Sequence, residues 1–92
     1  MSLIQADKEC YICHTTKGLE SHHCFFGALR KISERLGLTV WLCHLHHRGN
    51  YSPHQDRECD LLLKQTAQIE FMKSGTIKQW MDEKTGIGKN YL

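Results

Sequence analysis

Cys10-Tyr11-Ile12-Cys13 and Leu42-Cys43-His44-Leu45-His46-His47 decide how this chain is read. Each stretch holds two metal-ligating side chains two residues apart, a spacer that folds into a tight knuckle whose backbone amides face the ligand atoms. A Cys-x-x-Cys joined to a Cys-x-x-His predicts one closed structural zinc site of three thiolates and one imidazole, on Cys10, Cys13, Cys43 and His46. The stretch from His14 to Leu42 is far longer than the roughly twelve residues inside a two-cysteine, two-histidine finger. It predicts two knuckles joined by a hairpin and an insert.

Working outward, Leu19 to Phe26 reads as a short strand ending in aromatics, and Leu38 to Leu42, β-branched and apolar, as a second. Between them Ala28–Leu36 carries Leu29, Ile32 and Leu36 at helical spacing and stops at Gly37. After the second ligand group, Gly49 to Pro53 breaks any continuous helix. Asp56 is a candidate N-cap for a helix reaching Lys73, and Thr76 caps a shorter one to about Lys84 that buries Ile77, Trp80 and Met81. Residues 1–9 read as a polar lead-in with no assigned role. Phe25, Phe26, Trp41, Phe71 and Trp80 are expected in the core, and Arg57, Lys64 and Lys73 on the polar face of the long helix. The fold class is therefore α+β: one small zinc-stapled domain over residues 1–92, with a metal-binding core over about 8–56 and a helical extension over about 56–84.

Ninety-two residues make one domain, and at this size only about 60–65% of the unfolded chain's surface can be buried, so a metal staple supplements a thin core. Five cysteines, an odd number, with no charged-then-apolar leader, predict an intracellular protein whose thiols bind metal rather than form disulfides. No run of about 18 apolar residues predicts a membrane span. The net charge of +2 is too small to announce a nucleic-acid partner, but Arg30, Lys31, Arg35 and Arg48 can form a local basic face. Cys24 and Cys59 have no partner at knuckle spacing and read as small buried or half-buried thiols; His14 and His44 read as solvent-facing.

With Cys43 and His46 used, His22, His23, His47 and His54 remain. Neighbours on a strand point to opposite faces, so His22 and His23 cannot both serve one ion comfortably. One can hold a cation while the other removes a proton from water, the division used in metal-assisted phosphodiester hydrolysis.

These residues resemble the HNH endonucleases of ββα-metal fold, most closely the small phage nucleases of the RecA-dependent, recombination-enhancing kind. The resemblance rests on Cys-x-x-Cys, His-His, Leu-Cys-x-x-His-His and a following His. It extends through Gly27–Gly37, Glu58-x-Asp60-Leu61-x-Leu63-Lys64-Gln65 and the ending Gly88-Lys89-Asn90-Tyr91-Leu92. It implies a metal-dependent DNA endonuclease in which His23 is the general base and His22, His47 and His54 hold a catalytic divalent metal. That metal would be Zn²⁺, Mn²⁺, Ni²⁺ or Mg²⁺. It also implies phosphate contacts from Arg30, Lys31, Arg35 and Arg48, a DNA partner with a recombinase filament as a further one, and the cytoplasm of a bacterial host as the setting. The pattern departs at one place. The asparagine expected about five residues before Cys43 is Leu38, which leaves Thr39 or a backbone group to orient His23. Two other classes compete: a non-catalytic zinc-stabilised module that binds DNA or protein, and a thiol redox protein using Cys10 and Cys13, which lacks the helix-opening context that lowers a thiol's pKa.

Overall fold

In a computed structural model, described over residues 2–49 and 52–92, two antiparallel strands form the central hairpin. β1 (Leu19–His23) pairs with β2 (Thr39–Cys43) in a register that sets Leu19 opposite Cys43 and His23 opposite Thr39. A 3-10 turn (Gly27–Leu29) and α1 (Arg30–Arg35) fill the connection. Among the described residues, β2 is followed by α2 (His44–Arg48), α3 (Arg57–Met72) and α4 (Ile77–Met81). The result is a small α+β fold. Among the described residues no helix is long and apolar enough to cross a membrane.

Local chemistry explains most boundaries. Gly37 takes φ 74° after α1, and the amides of Gly37 and Leu38 return to the carbonyls of Glu34 (3.2 Å) and Ser33 (2.8 Å). This double closure requires a left-handed residue, which glycine adopts without strain. Asp56 caps α3 by accepting from the amides of Glu58 and Cys59, and Thr76 with Gln79 forms a reciprocal cap on α4. The loop reading at Asn50 and Tyr51 falls outside the described residues.

Several expectations are corrected. The β1 ladder stops at His23 rather than Phe26, because the chain turns at Cys24 and Phe25 toward Gly27 (φ 69°). The helix expected from Ala28 opens as a 3-10 turn, and α4 ends at Met81 because Asp82 captures the amides of Lys84 and Thr85. Ile77 and Met81 are exposed rather than core, since α4 presents only Trp80 inward, and Phe26, past the turn at Cys24 and Phe25, is exposed as well. Lys64 does not project into solvent; its ammonium pairs with Asp60 at 2.8 Å and lies 4.9 Å from the centre of the Phe26 ring. The lead-in is structural: Leu3 N–H donates to the Gly37 carbonyl, and the Gln5 side chain accepts from Trp41 N–H, lining the free edge of β2.

The core joins the hairpin to the C-terminal half. Phe25, Leu38, Val40 and Leu42 pack with Leu63, Ala67 and Trp80. Trp80 is fully buried, packs at 5.5 Å from Phe25 and 5.3 Å from Phe71, and donates from Nε1 to the Lys89 carbonyl. The tail is latched by the buried Gln68, which donates to Asn90 Oδ1 and accepts from Tyr91 N–H, both at 2.8 Å. Trp80→Ala removes the largest buried side chain and is expected to cost about 3–5 kcal/mol, measured as the denaturation midpoint of zinc-loaded protein.

Candidate metal centres

The two knuckles meet at the open end of the hairpin. Cys10 accepts the amide of His14 at its carbonyl and donates its own amide to Thr15, closing the first turn; His14 takes φ 65° at its exit. Cys43 ends β2, and α2 begins at the next residue, carrying His46. Cys10, Cys13, Cys43 and His46 bring one ligand atom each to within 4.8 Å of one another, close enough to hold a metal ion. Their spacing fits zinc. With bonds of about 2.3 Å to sulfur and 2.05 Å to nitrogen, tetrahedral donors stand about 3.8 Å (S–S), 3.6 Å (S–N) and 3.3 Å (N–N) apart. Cys13 and Cys43 Sγ are 3.8 Å apart, and His46 Nδ1 lies 3.6 Å from Cys10 Sγ and 3.2 Å from Cys43 Sγ.

Burial pushes the Cys10 thiol up, but amides of Cys13, Cys43 and Ile12 outweigh it and hold the group at about 6. The Thr15 amide lowers Cys13, yet burial and the neighbouring Cys10 and Cys43 sulfurs leave it raised. The charge that Cys10 sets against ionisation of Cys13 is what a cation would relieve. Cys24, by contrast, is pushed up to about 12 by burial and then by Asp60, and Cys59 is raised by burial and then by Asp56 and Asp60.

A second cluster lies on the other side of α2. His22, His47 and His54 bring their ring nitrogens within the same 4.8 Å limit, and the Nε2 atoms of His47 and His54 are 3.3 Å apart, the spacing of two imidazoles on one tetrahedral ion. His22 is buried, and its Nε2 has no hydrogen-bond partner among the described residues. An orphaned imidazole nitrogen is costly unless something accepts its lone pair, so the donor set fits a divalent cation. Consecutive side chains on a helix diverge by about 100°, which is why His46 reaches the sulfur cluster while His47 reaches the imidazoles. His14 and His44 are exposed, as the sequence predicts.

His23 faces the opposite side of β1. It opens into a cleft of about 410 Å³ shared with Ser21, Arg30, Glu34, Thr39 and Trp41, and its Nε2 lies 3.9 Å from Glu34 Oε2. Of the other predicted phosphate contacts, Arg48 Nε donates to Glu20 at 3.1 Å, Arg35 bonds the Thr85 carbonyl, and Lys31 is exposed on α1.

Sequence reasoning missed two residues that shape this region. Glu20 accepts from His47 Nδ1 at 2.7 Å, and its carboxyl is held below the usual range by His47 and then Arg48. The signal was present: Glu20 and His22 are two apart on a strand and share a face. Ser33 was the other. Its buried hydroxyl donates to the Leu38 carbonyl at 2.7 Å and accepts from Phe25 N–H at 3.4 Å, while Cys24 N–H donates to the same carbonyl. Ser33 thus ties the turn after His22-His23 to Leu38, beside the Thr39 that the sequence singled out. The chain matches no family model, no curated protein and no solved structure.

Two outcomes follow. The purified protein is expected to hold two metal ions per chain and His47→Ala one, by elemental analysis, whereas Cys13→Ser should lose the zinc and the fold together. Burial, then the nearby His54, His47, His23 and Lys64, pushes His22 down to about 3. A depressed imidazole stabilises the fold fully above its unfolded value of 6.5 and loses that contribution as pH falls toward 3. With the three-histidine site stripped by chelation, the melting temperature of the parent should therefore fall more steeply below pH 6.5 than that of His22→Gln.

Proposed function

We propose that the chain is a metal-dependent DNA endonuclease of the HNH type, hydrolysing phosphodiester bonds with His23 as general base. The observation that carries this is the pairing of a closed three-cysteine, one-histidine cluster with a second cluster of three converging imidazoles, and a histidine beside it that stays out of both. His22, His47 and His54 would hold the divalent cation. Three neutral imidazoles suit Zn²⁺, Ni²⁺ or Mn²⁺ better than Mg²⁺, unless phosphate and water supply the oxygens. When bound, such a cation supplies charge neutralisation at the phosphoryl and departing oxygens.

The chain's own groups do the rest. DNA phosphate meets Arg30 in the cleft and Arg48 and Lys31 along the two short helices, an arrangement that fixes the backbone without reading sequence. His23, rooted at the end of β1, takes a proton from the water attacking phosphorus, and Glu34 stands 3.9 Å away to receive the imidazolium that results. The Ser33 tie holds the turn that follows His23, serving where the family has its asparagine and this chain has the buried Leu38. A recombinase filament belongs to the proposal only through the resemblance.

One observation favours a second reading, a zinc-stabilised module that binds DNA or protein without cutting it. His23 and the three-histidine cluster lie on opposite faces of β1, so a scissile phosphate must straddle the strand end to meet both. Nicking of supercoiled plasmid with Mg²⁺, Mn²⁺ and Zn²⁺ added in turn separates the readings. The parent is expected to nick, and His23→Ala to be slower by about 10²–10⁴-fold. Equal rates in the two proteins would remove His23 from the reaction, and no nicking under any metal would leave the binding module.

A further inference from the structure

We infer that Glu20 is the positioning residue of the three-histidine site, fixing which nitrogen of His47 is free to bind metal. A neutral imidazole carries its proton on one nitrogen and its lone pair on the other, and a metal ligand is useful only when the lone pair faces the ion. Glu20 Oε1 lies 2.7 Å from His47 Nδ1, a short contact that an ionised carboxylate makes by accepting N–H. This places the proton on Nδ1 and leaves the lone pair on Nε2, the atom facing His54 Nε2 at 3.3 Å.

The carboxylate on Nδ1 would also raise the basicity of Nε2 as a ligand. The fold makes the arrangement specific. Glu20 and His22 share one face of β1, so a single strand supplies both a ligand and the group that orients the ligand arriving from α2. The same carboxylate oxygen accepts from Arg48 Nε at 3.1 Å, which holds the end of α2 against the strand. His22 and His54 have no such carboxylate among the described residues, so the contribution of Glu20 falls on His47 alone.

The inference rests on the three-histidine cluster holding a metal, and its test separates the two. Zn²⁺ affinity at this site is measured by chelator competition on protein that retains its cysteine-bound zinc, for the parent, Glu20→Gln and Glu20→Ala. Imidazole ¹⁵N shifts of His47 are recorded on the same samples. Glu20→Ala is expected to weaken the second Zn²⁺ by about 10–100-fold while one zinc per chain remains, and to convert a single Nδ1–H form of His47 into a tautomer mixture. Glu20→Gln, which keeps an acceptor oxygen but no charge, should fall between. Two ions in the parent with unchanged affinity and tautomer in Glu20→Ala would overturn the role of Glu20 alone. A single ion in the parent would overturn the metal site and this inference with it. The retained cysteine-bound zinc shows that a weakened second site is not a folding defect.

Discussion

Three cysteine sulfurs and an imidazole converge on one point, and the elements around the hairpin are arranged about it. α2 is five residues long, far below the length at which a helix is stable by itself, and it follows β2 without a linker. What fixes it is Cys43 at its start and His46 within it, both converging on the Cys10–Cys13 knuckle. A cation there would offset the charge that Cys10 sets against Cys13 and would anchor the N-terminal knuckle, the end of β2 and α2 in one step. His47 is carried along as the next residue, so the second cluster inherits its geometry from the first.

The hairpin sorts the remaining chemistry by face. On one side of β1, Glu20 and His22 look toward α2 and the turn bearing His54; on the other, Ser21 and His23 look toward Arg30 and Glu34 of α1. Strand alternation makes this partition unavoidable for two adjacent histidines. In the proposed hydrolysis it keeps the general base off the ion, so that its nitrogen is available for a proton. It also limits where substrate can lie, because only the end of the strand is near both faces.

The C-terminal half closes the open side of the hairpin. α3 and Trp80 cover the strand residues Val40 and Leu42 together with Phe25, and the tail is latched to Gln68 by two hydrogen bonds, by the burial of Ile87 and by Tyr91 packing against Phe25. Phe26, left exposed, touches His22 and His54 instead of the core, and Lys64 sits over its ring. The extension therefore walls the three-histidine cluster as well as completing the core.

The sequence by itself picked out Cys10, Cys13, Cys43 and His46 as the side chains that converge, because a knuckle is local: two residues of spacing and a turn. It also determined the caps at Asp56 and Thr76 and the stop at Gly37, each fixed by bonds spanning only a few residues. The tertiary structure decided what depends on pairing across the fold. The register of β1 against β2, the contact of Glu20 with His47, the tie from Ser33 to Leu38 and the lead-in along β2 join residues whose separation no periodicity encodes. The same holds for Phe26, Ile77 and Met81, apolar residues whose exposure was settled by which face of a short element met the core. Helical and strand periods tell which side chains share a face; only packing tells which face turns inward.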